Sequence, residues 1–192
     1  MARLDDAARI HPRHRRDWRR WLERNHATST GVWLVSHTKA SGSQELSYED
    51  VVEELLCFGW VDSTARGLGD GLTMLYVCPR KRGGTWAATN KARVERLAAA
   101  GLMAPAGLEA VERAKQDGSW TMLDSVEALE VPDDLAAAFD AHPPLREAYE
   151  ALGAGGRKQV LWSLVSAKRP QTRASRLDRL VVRARDGQPL VS

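Results

Sequence analysis

Cysteine is scarce in this chain: 192 residues contain two, Cys57 and Cys78, each among apolar neighbours. A disulfide-stapled scaffold would carry more cysteines at regular spacings, so that class is excluded. There is no CxxC pair to begin a zinc centre, and both residues read as buried thiols in a reducing compartment; a Cys57–Cys78 disulfide would require their two elements to be neighbours. Long apolar runs are also missing. No stretch approaches the ~18 residues of a membrane span, and the charged start Met1-Ala2-Arg3-Leu4-Asp5-Asp6 lacks the apolar core of a signal peptide. The expectation is a cytoplasmic, soluble protein. Repeats, low-complexity linkers and the GxSxG nucleophile pattern are absent too. His26, His37, His142 and Ser63 therefore assemble into no recognisable triad, and His11 and His14 have no third ligand nearby. Neither a metal nor a cofactor is expected.

What the chain does have is unevenly placed charge. The formal balance is only +3, but residues 1–24 hold eight Arg against four acids and residues 109–150 hold eleven acids against three bases. Residues 157–185 then hold nine Arg or Lys against Asp178 alone. That basic segment either faces acids of its own chain or meets an external polyanion.

Apolar spacing gives the elements. Trp18, Trp21 and Leu22 form one face of a helix over residues 14–25. Val32 to Val35 reads as a strand and Lys39 to Ser43 as a polar loop. Ser47 and Asp50 approximate a capping box ahead of a helix over 48–58, with Gly59 as its C-cap. A strand from Trp60 to Thr64, a glycine-rich connection from Arg66 to Gly71, and a strand from Leu72 to Cys78 ending at Pro79 come next. Pro79 to Gly84 reads as an exposed basic loop. Beyond it the pattern is helical: a helix to Gly101, one opened by Pro105, a linker over 120–124, and short helices over 133–139 and 144–152. Gly153 to Gly156 breaks the chain before a helix over 156–168, and a final helix follows Pro170. Strands thus precede residue 80 and helices follow it, an α+β arrangement with a small N-terminal sheet, packed helices and a mainly helical C-terminal region. The expected divisions are a flexible basic arm over 1–13, an α/β part over 14–85 and a helical part over 86–188.

Dissimilar polar groups gather at the predicted element ends. Asp62 lies just past a helix, Arg80 and Arg82 just past a strand, and Trp86 and Asn90 one helical turn apart. Together they are a candidate ligand site working by charge, stacking and amide hydrogen bonding. The plainer reading pairs Asp62 with Arg66 or Arg80, packs Trp86 on the sheet and leaves Asn90 as a cap. Lys168, Arg169, Thr172, Arg173 and Arg176 form a second, anion-binding candidate, in which Thr172 caps the last helix and its free amides join the basic side chains. No aromatic residues interleave with these charges, as a single-strand nucleic-acid platform would require. Cys57, near a helix C-terminus, gains no help from a helix N-terminal dipole, and its apolar neighbours Leu56 and Phe58 oppose thiolate formation, so it reads as a core cysteine.

One ordered series of motifs resembles a known family. Leu56-Cys57-Phe58-Gly59-Trp60-Val61-Asp62, Pro79-Arg80, Trp86, Asn90, Arg93 to Leu97, Gly101 to Gly107, Ala114 to Trp120 and Ala167 to Arg173 are similar to the YdeI/OmpD-associated family, often labelled bacteriocin-protection proteins, over about residues 15–188. The chain departs from the family at Gly84-Thr85-Trp86-Ala87, where hydroxyl residues are common, and at Gln171, where Glu is common. The resemblance implies a bacterial cytosolic protein with an α/β N-terminal part and a helical C-terminal part, and it carries over no catalytic role, so the catalytic residues, if any, stay unassigned. The resulting expectation is a stress- or antimicrobial-peptide-protection protein that binds a small molecule or anionic ligand. The alternatives are an enzyme acting on a small anionic substrate and a nucleic-acid binder using the C-terminal basic helix.

Overall fold

A computed structural model describes residues 6–42 and 46–191, so the end of the expected Lys39–Ser43 loop and the first part of the expected arm lie outside the described residues. The chain forms two compact units: one runs to Gly84 and includes Thr89–Trp120, and the other comprises Thr85–Ala88 and everything from Thr121.

The first unit is built on a mixed four-stranded sheet. Its strands are β1 (Arg9–Ile10), β2 (Val32–His37), β3 (Trp60–Gly69) and β4 (Leu72–Pro79), ordered β1-β2-β4-β3 with only the β1–β2 pair parallel. Arg9 and Ile10, within the expected arm, pair with Trp33 and Leu34 as an edge strand. α1 (Arg15–Asn25) buries Trp18 and Leu22 as its spacing predicts. α2 (Tyr48–Cys57) starts with the expected capping box, in which Ser47 Oγ accepts from the Asp50 amide and the Asp50 carboxylate from the Ser47 amide. Gly59 follows α2 at φ +70, the left-handed position that stops a helix without a Cβ penalty. Two of the buried indoles donate to backbone carbonyls: Trp18 Nε1 to Val51 O at 3.3 Å and Trp60 Nε1 to His26 O at 3.2 Å. α3 (Ala88–Ala99) and α4 (Pro105–Gln116) complete this part, with Pro105 in the first turn.

β3 departs from the sequence reading. It continues to Gly69 through the stretch expected to be a loose connection, leaving only Asp70 and Gly71 for the turn. Register shifts at Asp62/Ala65 and Gly67/Gly69 take up the irregular residues, so glycines that look like loop residues lie beside bulges in a strand.

The second unit is helical: α5 (Asp124–Glu127), α6 (Asp133–Ala141), α7 (Pro143–Glu150), α8 (Ala154–Val165) and α9 (Pro170–Arg185). Its core gathers Val126, Leu135, Phe139, Leu145, Tyr149, Val160, Leu161, Leu164, Leu180 and Leu190. α8 begins inside the expected glycine break and carries Gly155 and Gly156 in its first turn. Each glycine costs a helix about 1 kcal/mol, less than the burial of Val160, Leu161 and Leu164 returns. The fold is therefore an N-terminal mixed sheet packed with helices, followed by a mainly helical region.

Candidate functional site

Among the residues nominated from the sequence, Asp62 and Arg80 are close enough to interact. Asp62 on β3, opposite Val77 of β4, accepts a 2.8 Å hydrogen bond from the Tyr48 hydroxyl. Arg80 leaves β4 with its backbone amide on Gly59 O and its Nε on Trp60 O at 3.2 Å. Burial pulls this guanidinium down to about 10, against the opposing charge of Asp62, so these two residues do interact electrostatically. Arg82 is exposed beside Asp117, Asn90 Oδ1 accepts from Arg93, and Trp86 is buried in a segment that belongs to the second unit. Cys57 is buried, and desolvation, opposed by Arg19, pushes its thiol pKa up.

A different cluster, which sequence reasoning missed, occupies the first unit. Glu53 and Glu54 on α2 are only 5% and 2% exposed, and each of their four carboxylate oxygens meets a guanidinium. Glu53 binds Arg96 and Arg15, both at 2.6 Å, and Glu54 binds Arg15 at 2.7 Å and Arg19 at 2.9 Å. The charges alternate as Arg96–Glu53–Arg15–Glu54–Arg19, linking α3, α2 and α1, and Arg19 Nη2 continues to Leu102 O at 2.9 Å. Asp50 adds a 3.3 Å contact to Arg15, and Glu49 holds Arg93 through two hydrogen bonds. Burial alone would lower the Arg15 pKa, but the bonds to Glu54 and Glu53 hold it above its ordinary value.

A signal for this cluster was present. Val51, Val52, Leu55 and Leu56 cover so much of α2 that Glu53 and Glu54 cannot all face water, and Arg15 and Arg19 flank the buried Trp18 at helical spacing. Arg15, Arg16, Arg19, Glu53, Glu54 and Arg96 line a cleft of about 540 Å³, with Leu97, Ala100 and Leu102 completing its wall. Carboxylates saturated by guanidiniums are poor general bases. The guanidiniums, however, have five N–H donors each, more than the carboxylates can occupy.

The C-terminal anion candidates also separate. Arg173 forms a two-pronged ion pair with Asp134, at 2.6 and 2.8 Å, and is neutralised within its own unit. Arg176 instead donates to Ser163 O and, at 2.9 Å, to Ser166 Oγ. Arg169 occupies the N-cap position of α9 without a side-chain cap, Lys168 and Arg169 are exposed, and the Thr172 side chain does not cap the helix. The Arg173 hydrogen bond holds the Asp134 carboxyl below its ordinary range. The pair therefore stabilises the fold above the ordinary carboxylate pKa, and that contribution is lost as pH falls through the lowered folded-state value. Arg173→Gln is expected to shift the Asp134 titration upward in carboxyl-detected NMR. An unmoved titration would rule out the ion pair as its cause.

Comparison with known proteins matches two stretches. Residues 128–187 match the family described as "Bacteriocin-protection, YdeI or OmpD-Associated", a narrower span than the motif series suggested. No curated protein and no solved structure matches the chain. Residues 10–110, which include α1, the sheet, α2, α3 and the arginine–carboxylate array, match the family described as "Domain of unknown function (DUF8412)"; covering just over half of the 192 residues, this match makes the chain a member of that family.

Proposed function

We propose that the protein is a non-catalytic binding protein with a protective role, and that it holds a small amphipathic anion in the cleft between α1, α2 and α3. The observation that carries this reading is the cleft's lining: four arginines against two carboxylates on one side and Leu97, Ala100 and Leu102 on the other. Surplus N–H donors on Arg15, Arg19 and Arg96 suit a carboxylate or similar head, and the apolar wall suits its body. The volume of about 540 Å³ falls in the ordinary range for small-molecule sites. The protective element draws on the match of residues 128–187 to the bacteriocin-protection family.

Calorimetric titration with hexanoate, octanoate and benzoate tests the reading. Saturable binding is expected for at least one of them. Leu102→Gln and Arg16→Gln, at positions exposed enough to spare the fold, should each weaken it about three- to tenfold. Heats no larger than dilution for all three compounds would end this proposal.

A further inference from the structure

α9 carries arginines of two kinds. Arg173 and Arg185 are paired with Asp134 and Asp186. Among the described residues, Arg176, Arg179 and Arg183 pair with no carboxylate, yet all three line one cleft of about 220 Å³ with Ser163, Leu180 and Leu190. Their spacing of three and four residues places them on one side of the helix, whereas Asp178, two residues from Arg176, lies on the other. None of the described lining residues is acidic.

Three like charges gathered in one small depression repel one another, and ion pairing of the Arg173 type would relieve that cost. Carbonyl oxygens and one hydroxyl position them instead. Arg176 Nη1 is held by Ser163 O and Ser166 Oγ, Arg183 Nη1 by Pro189 O at 3.1 Å and Leu190 O at 3.3 Å, and Arg179 Nε by a long 3.4 Å contact to Ser175 O. Carbonyl contacts orient a guanidinium without cancelling its charge, and the remaining terminal nitrogens stay available. Leu180 and Leu190, both buried, supply apolar surface beside the charges.

We propose that this cleft is a binding site for a phosphate-type dianion, either free phosphate or the phosphoryl group of a small monoester. Three guanidiniums match the several oxygens and double charge of phosphate better than the single charge of a carboxylate. The volume is below that of a pocket for a drug-sized molecule, which limits the organic part of a monoester to a small group. Among the described residues no aromatic side chain lines the cleft to stack a base, so a small phosphate, rather than a nucleic-acid strand, is the occupant. The site lies in the second unit and does not depend on the amphipathic-anion reading of the first.

The test is calorimetric titration of the full chain at low ionic strength with inorganic phosphate and, separately, glycerol phosphate. One saturable site per chain is expected for at least one of them, and the stronger ligand identifies the source. Arg179 is exposed and only loosely held, so Arg179→Gln should fold normally and weaken binding about ten- to hundredfold. Arg183→Gln should do the same, while Arg185→Gln, outside the cleft, should change affinity less than twofold. Binding of hexanoate, octanoate or benzoate is unaffected by these substitutions if the two sites are separate. The proposal is overturned by absence of saturable binding of both phosphates, by an equal loss in Arg185→Gln, or by a single-stranded oligonucleotide that binds more tightly than either phosphate with a steep salt dependence.

Discussion

Glu54→Ala is expected to lower the stability of the first unit by about 3 kcal/mol at neutral pH, measured by urea unfolding. The carboxylate is almost fully enclosed, and its two oxygens serve Arg15 and Arg19. Its removal leaves Arg15 to Glu53 and Asp50 and Arg19 to the exposed Glu23 and Leu102 O, so the cost is dominated by the under-compensated charge on Arg19. Arg15 and Arg19 keep about a third of their side-chain surface in water, which places the effect at the lower end of the range for broken buried pairs. Glu23→Ala is the informative contrast. Glu23 also contacts Arg19, at 3.5 Å, but is 52% exposed, so its loss should cost less than about 0.5 kcal/mol. A Glu54→Ala/Arg19→Ala double variant should be less unstable than the sum of its singles, because it removes the under-compensated charge. A Glu54→Ala protein within 1 kcal/mol of wild type would show that the array adds nothing to stability.

Gly107→Val should be at least as damaging, by about 3 kcal/mol or more. A Cβ at residue 107 would lie 2.2 Å from the carbonyl oxygen of Cys57 and 2.8 Å from that of Leu56. Both are backbone atoms at the end of α2, and they cannot swing aside as a flexible side chain would. The Ala104 amide donates to the same Cys57 oxygen at 3.0 Å, so displacing α4 also breaks a hydrogen bond. Higher helix propensity at position 107 returns less than 1 kcal/mol and does not offset the clash. In a thermal melt the expected shift is roughly 6–12 °C downward. Gly118→Ala has open space around its Cβ but a φ of +78, so it should suffer only backbone strain and a smaller shift. A Gly107→Val melt matching that of Gly118→Ala would contradict the close-packed α2–α4 contact.

This contact also explains what could be read in the sequence. Trp18 and Leu22, the Ser47–Asp50 capping box, Gly59 and the β4 strand were legible because local spacing and stereochemistry determine them. The approach of Gly107 to Cys57 is long-range, and a glycine at the third position of a helix gives no local sign of the carbonyl it faces. Glu53 and Glu54 were passed over for a similar reason: acidic residues in a helix ordinarily face water, and their burial depends on arginines from α1 and α3. The site nominated from Asp62, Arg80, Arg82, Trp86 and Asn90 relied on proximity along the chain. Trp86 is grouped with the second unit and Asn90 turns to Arg93, a division that no neighbouring residue announces. In the C-terminal helix, the abundance of arginine was plain, but which ones are neutralised depends on Asp134, far away in sequence.

The irregular β3 strand bears on how the molecule behaves in concentrated solution. It lies at an edge of the sheet, where a regular ten-residue strand would offer an unbroken row of amides and carbonyls to another chain. The shifts at Asp62/Ala65 and Gly67/Gly69 interrupt that row, and Arg66 adds a charge between them. A second copy approaching this edge finds no regular register long enough to extend, so the same bulges that allow glycines into the strand also guard against sheet-to-sheet aggregation.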